Sequence, residues 1–109
     1  MLHEFDCPVK ITTDIIGGKW KPLILYYLKS KKRRFGELQK LIPETTKKML
    51  TRRLRELERD KIIRRKVYAQ VPLRVEYSIT RHGESLNPIL ELMSAWGTKH
   101  RARHGGVRK

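Results

Sequence analysis

A mostly helical α+β domain carrying one β-hairpin is predicted by three features of the sequence. Apolar residues recur at helical spacing in four successive segments up to Asp60. The period then switches to alternation on either side of Pro72, and it returns to helical spacing after Thr80. At 109 residues the chain has the length of one domain. It has no repeats or low-complexity tracts, and only the tail Gly105–Lys109 is expected to fray.

Each element follows from local chemistry. Pro8 opens a segment with Val9, Thr12, Ile15 and Ile16 in phase, and Gly17–Gly18 stops it; proline inside the start and glycine past the end bound a helix. Trp20 and Pro22 begin a second helix, with Leu23, Ile24, Tyr27 and Leu28 predicted on its inner face. A third covers Phe35–Leu41, with Phe35, Leu38, Leu41 and Ile42 on one side and Pro43 ending it. Thr45 or Thr46 caps a fourth, running from Lys47 to Asp60 with an apolar stripe of Met49, Leu50, Leu54 and Leu57. Ile62 and Ile63 return the chain to the core. Arg65–Gln70 and Arg74–Ile79 alternate around the turn Val71-Pro72-Leu73, which keeps the proline outside the ladder of a hairpin. Thr80 caps one last long helix, Arg81 to about Arg103, which Gly83 weakens slightly in its first turn. This order predicts a winged helix-turn-helix: a tri-helical core, a hairpin wing and helices at both termini.

The charge points to a partner. The chain carries a net charge of +15, and residues 29–74 hold 17 Lys and Arg against 5 Asp and Glu, a net +12. A domain this basic meets a polyanion, and the concentration of charge argues for a nucleic-acid footprint. RNA modules of this size display aromatics on an open sheet or a glycine-rich clamp loop, and neither is legible. An RNA-binding or ribosome-associated basic protein is therefore the alternative, and double-stranded DNA the first reading. No secretory signal is visible in Met1–Asp6, and the longest apolar run, Leu23–Leu28, is too short to span a bilayer. The single cysteine suits a reducing cytosol, so a cytoplasmic protein, nucleoid-associated on the DNA reading, is expected. No catalytic constellation, cofactor or metal site is expected. His100 and His104 have ligand spacing but no third ligand, in a basic tail.

On a helical wheel Leu50, Leu54 and Leu57 of the fourth helix cluster on one side, with Lys48, Thr51, Arg52 and Arg55 opposite. A helix in the major groove presents its outward N-terminal half to base edges, so Arg52 is the first base-reading candidate, beside Lys48 and Thr51. Arg53 and Arg55 are expected on phosphates, with Thr46 at the cap, Arg64, Arg65, Lys66 and Arg74 in the wing, and Arg34 before the third helix. Trp20, Phe35, Tyr77 and Trp96 read as core residues rather than a stacking platform. The last helix carries Leu86, Ile89, Leu90, Met93 and Trp96, more apolar surface than a tri-helical core needs. With Val9, Ile15 and Ile16 they are expected to form a homodimer seam. The single domain, residues 1–109, thus divides into dimerisation helices at about 7–30 and 81–103 and a DNA-binding core and wing at 31–80. Cys7 precedes Pro8 at a helix N-cap, where unpaired N–H groups favour a thiolate; Lys10 adds to this and Asp6 opposes it. From the residues alone, an idle cysteine and a thiol sensor both stand.

Five stretches taken together carry a resemblance: Cys7-Pro8-Val9; Ile16-Gly17-Gly18-Lys19-Trp20; Arg34-Phe35-Gly36-Glu37-Leu38; Leu50-Thr51-Arg52-Arg53-Leu54-Arg55-Glu56-Leu57; and Arg74-Val75-Glu76-Tyr77-Ser78-Ile79-Thr80. In this order and at these separations, across about residues 7–100, the chain resembles the HxlR-type winged helix-turn-helix regulators. The resemblance implies a prokaryotic transcription regulator that binds DNA as a homodimer. It also implies a possible redox sensor at Cys7, since several members sense small oxidants or electrophiles through the N-terminal cysteine. Two positions depart from the family pattern. Lys61 stands where a glycine usually follows the acidic end of the recognition helix, at a cost of about 1 kcal/mol if that position is left-handed. The wing also has one proline, Pro72, where two are common.

Overall fold

A computed structural model describes residues 7–104, so the expectations for Asp6 and for the tail Gly105–Lys109 lie outside the described residues. The elements are α1 (Pro8–Ile16), α2 (Lys21–Leu28), β1 (Arg33–Arg34), α3 (Phe35–Leu41), α4 (Lys47–Arg59), β2 (Ile63–Tyr68), β3 (Arg74–Ile79), α5 (Arg81–Glu84) and α6 (Asn87–Arg103). The strands form one antiparallel sheet in the order β1-β3-β2. The sequence predicts the β2–β3 hairpin. It does not predict β1, a two-residue strand inside a basic run that pairs Arg33 with Tyr77 and Arg34 with Glu76.

The core is built around α2, whose Ile24, Leu25 and Leu28 are buried against Leu38 and Ile42, the α4 stripe Leu50, Leu54 and Leu57, and Ile62 and Ile63. This corrects the predicted inner face of α2: Leu23 is exposed, and Leu25 takes the buried position. A helix at the centre of a core buries a wider arc than one periodic stripe marks. It also makes the inner face of α2 part of the core, while Leu23 and Tyr26 stay exposed.

The predicted last helix is two helices. Thr80 caps the short α5, its Oγ1 accepting the Gly83 N–H at 2.9 Å. A proline four residues past Glu84 has no N–H to give its carbonyl and would press its ring against it. The helix therefore ends there, and Pro88 sits instead in the first turn of α6. Gly83 is buried in the fold rather than a mild defect in an exposed turn.

α4 ends on a Schellman motif. The Lys61 N–H donates to the Glu58 carbonyl at 3.0 Å and the Ile62 N–H to the Leu57 carbonyl at 2.9 Å, while Ile62 and Leu57 join the core. Lys61 is left-handed, with φ 61°. The departure noted in the sequence thus falls where glycine costs least, and Lys61→Gly is expected to add about 1 kcal/mol of stability. A denaturation midpoint that rises with unchanged m-value would check it; an unmoved midpoint would mean that the lysine compensates through its side chain.

Candidate nucleic-acid interface

Thr46 is the N-cap of α4, its Oγ1 accepting the Met49 N–H at 3.0 Å. From that anchor the helix runs with its leucine stripe inward and Lys48, Arg52, Arg55 and Arg59 exposed on the other side, Thr51 half-buried between them. These side chains and Glu56 line an open groove of about 600 Å³. Lys48, Thr51 and Arg52 therefore share one surface, as expected, and Arg55 continues it. Arg59 was missed, although it lies in phase with Arg52 and Arg55 and the same wheel would have found it.

Arg53 does not join them. Its guanidinium donates to Glu56 Oε1 at 2.5 Å, and the same carboxylate lies 3.3 Å from Lys21 Nζ, a buried lysine of α2. The Arg53 hydrogen bond holds the Glu56 carboxyl below the usual carboxylate range, against the opposing effect of burial and with help from Lys21. Arg53 is better described as part of a clamp between α4 and α2 than as a free phosphate contact, a correction that periodicity alone does not supply.

The hairpin register divides the wing cations. Partners across a ladder share a face, and faces alternate along each strand. Arg65 pairs with Tyr77 and, with Thr51, Arg55, Glu58 and Arg59 of α4, lines a second cavity of about 490 Å³. Arg64 pairs with Ser78, Lys66 and Arg34 with Glu76, and Tyr68 with Arg74, all on the opposite face. There Lys32, Arg64, Lys66 and Tyr68 surround Glu76. Burial would raise the Glu76 carboxyl, but the Tyr68 hydroxyl and the charges of Lys32 and Arg74 hold it below its ordinary value. Arg74 stacks on Tyr68, 4.0 Å from the ring centroid. Four of the wing and β1 cations expected on phosphates thus face away from the recognition helix.

The predicted dimer seam divides as well. Ile16 and Leu90 are buried within the chain's own core, and Ile15 and Leu86 pack against it, so Ile16 and Leu90 have no surface left for a partner. Val9, Ile89, Met93 and Trp96 are exposed, which corrects the core reading of Trp96, and they are joined by Leu92, which the stripe had omitted. Cys7 is exposed at the N-cap of α1. Lys10, expected to favour its thiolate, lies 3.2 Å from Asp14 instead. The rings of His100 and His104 lie 4.2 Å apart, and among the described residues no three His, Cys, Asp or Glu gather as a metal site. Among the same residues, no helix is long and apolar enough to cross a membrane.

A helical core that presents a capped basic helix beside a β-hairpin defines a winged helix-turn-helix DNA-binding domain. The chain belongs to the HxlR-like helix-turn-helix family, which it matches over residues 15–105. It is 55% identical over 97 residues to the uncharacterized HTH-type transcriptional regulator YdeP of Bacillus subtilis, covering 89% of this chain and 76% of that protein. Its fold is similar to the redox regulator HypR in its oxidized form, with TM-score 0.83 and 49% identity over 85% of this chain and 96% of that one. It is also similar to the reduced form of HypR, with TM-score 0.85 and 48% identity over 87% and 94%. The protein is a transcription regulator with a helix-turn-helix DNA-binding fold, and not an enzyme.

Proposed function

We propose that the protein binds an inverted-repeat operator in double-stranded DNA as a homodimer, acting with the nucleoid in the cytoplasm. The observation that carries this reading is the single exposed face of α4 with Lys48, Thr51, Arg52, Arg55 and Arg59 opposite a fully buried leucine stripe. Lys48, Thr51 and Arg52 read bases, and Thr46, Arg55, Arg59 and Arg65 hold phosphates. Arg64, Lys66, Arg74 and Arg34 form a flanking cationic face. The terminal helices supply the seam through Val9, Ile89, Leu92, Met93 and Trp96, an apolar surface left uncovered by the protomer. Two recognition helices then sit one turn of DNA apart, about 34–36 Å. Selection of duplexes from a random pool should return a palindrome. A monomer by light scattering at micromolar concentration, or a selected site without two-fold symmetry, would sink the homodimer reading.

The redox relative HypR, solved in oxidized and reduced forms, and the exposed Cys7 together support thiol control. With one cysteine per chain, oxidation joins Cys7 to the partner's cysteine or to a small thiol, and an electrophile forms an adduct there. A direct bridge needs Cα atoms within about 7 Å at the dimer axis. Treatment with diamide or a quinone is expected to shift operator affinity in the wild type and not in Cys7→Ser. An equal response in both would place the sensor elsewhere.

A further inference from the structure

A carboxylate of α4 interrupts the cationic surface that this helix shares with the wing. Glu56 is taken up by Lys21 and Arg53, but Glu58 reaches across to the hairpin, its Oε2 3.4 Å from Arg65 Nε, with both side chains part-exposed. Glu58 and Arg65 line the 490 Å³ cavity together with Thr51, Arg55, Arg59 and Tyr77. Burial pushes the Tyr77 phenol above its ordinary pKa, an effect that Arg65 and Arg55 oppose and Glu58 reinforces, so it stays a neutral hydroxyl donor. Three guanidiniums and a phenol are donors suited to a phosphodiester, to which arginine forms strong paired bonds. The Glu58 carboxylate is what such a phosphate has to displace.

We propose that the Arg65–Glu58 ion pair is a latch between wing and recognition helix, which Arg65 leaves for a DNA phosphate only when α4 is seated. Glu58 thereby costs operator binding, which opens the latch, more than it costs binding to random DNA. The inference rests on the reading of α4 and the wing as the DNA surface. An ion pair this exposed shifts an equilibrium by only about two- to fivefold, so a phosphate held in the cavity by a seated helix displaces the carboxylate. A loosely bound duplex leaves its phosphate farther off, where water and salt screen the attraction, and the latch stays closed. Random DNA then lacks the Arg65 contact and operator DNA has it.

Glu58→Gln keeps the shape and removes the charge. Affinity for the duplex selected with the wild type is expected to rise about threefold, because that complex alone has to open the latch. Affinity for a random-sequence duplex should rise less, so discrimination widens. In an Arg65→Gln background the same substitution should bring no gain. A gain that persists without Arg65 would make Glu58 a repelling charge and overturn the latch. Unchanged or weaker binding of the selected duplex by Glu58→Gln would also overturn it. A wild type that retains no duplex of either kind would overturn the DNA reading itself, and the latch with it.

Discussion

Gly83→Ala is expected to lower stability by about 3 kcal/mol. A Cβ there would stand 2.2 Å from the Ile62 carbonyl oxygen and 2.9 Å from Ile79 Cγ1. Neither neighbour can give way easily. The Ile62 carbonyl accepts the Thr80 N–H at 3.0 Å, and Ile62 itself closes the end of α4 from inside the core. The strain therefore falls on α5, which must lift off the sheet and break the Thr80 cap. For a domain of this size the melting temperature should drop by roughly 15 °C. Gly36→Ala is the control, since nothing lies within 4 Å of its Cβ position in the first turn of α3. Equal melting temperatures for the two variants would show that α5 yields freely.

Arg52→Ala is expected to cost roughly 1–3 kcal/mol of operator binding and to relax preference at one base position per half-site. Arg52 is exposed in the outward half of α4 and forms no ion pair among the described residues, so its guanidinium is free to grip a guanine edge. Arg65→Ala should behave differently, weakening operator binding without altering which bases are preferred and reducing the salt slope of that binding by about one. Selection repeated with each variant separates the two. If Arg52→Ala returned the wild-type motif unchanged, base reading would pass to Lys48 and Thr51.

Residues whose surroundings lie on their own element were legible in the sequence. Thr46 as a cap, the leucine stripe of α4 and the hairpin around Pro72 each rest on local rules of spacing and turn chemistry. Lys61 belongs with them, because the end of a helix is set within a few residues. The misses come from contacts between elements. Arg53 looked like a phosphate ligand until Lys21 brought Glu56 to it from α2. Arg64, Arg65 and Lys66 looked equivalent until the register placed Arg65 alone beside α4. Ile16 and Leu90 have the periodicity of an interface, and only packing assigns them to the core. The break between α5 and α6 was readable in principle, since Pro88 sits where a continuous helix would need an N–H.

That break gives α6 the mechanics of a lever. Its near end is fixed: α5 is held to the sheet through Thr80 and Gly83, and Leu86 and Leu90 pack into the core. Beyond Leu90 the helix continues to Arg103 with largely exposed side chains. Glu91 still pairs with Lys29 and Ser94 lies beside α2, so the arm from Ala95 to Arg103 is about 14 Å long at 1.5 Å per residue, and a swing of about 10° carries its tip through roughly 2 Å. Two such arms clasped in a dimer would turn a small displacement at their pivots into a change of span between the reading heads. The pitch of the duplex is fixed, so the DNA itself is the ruler against which that displacement is measured.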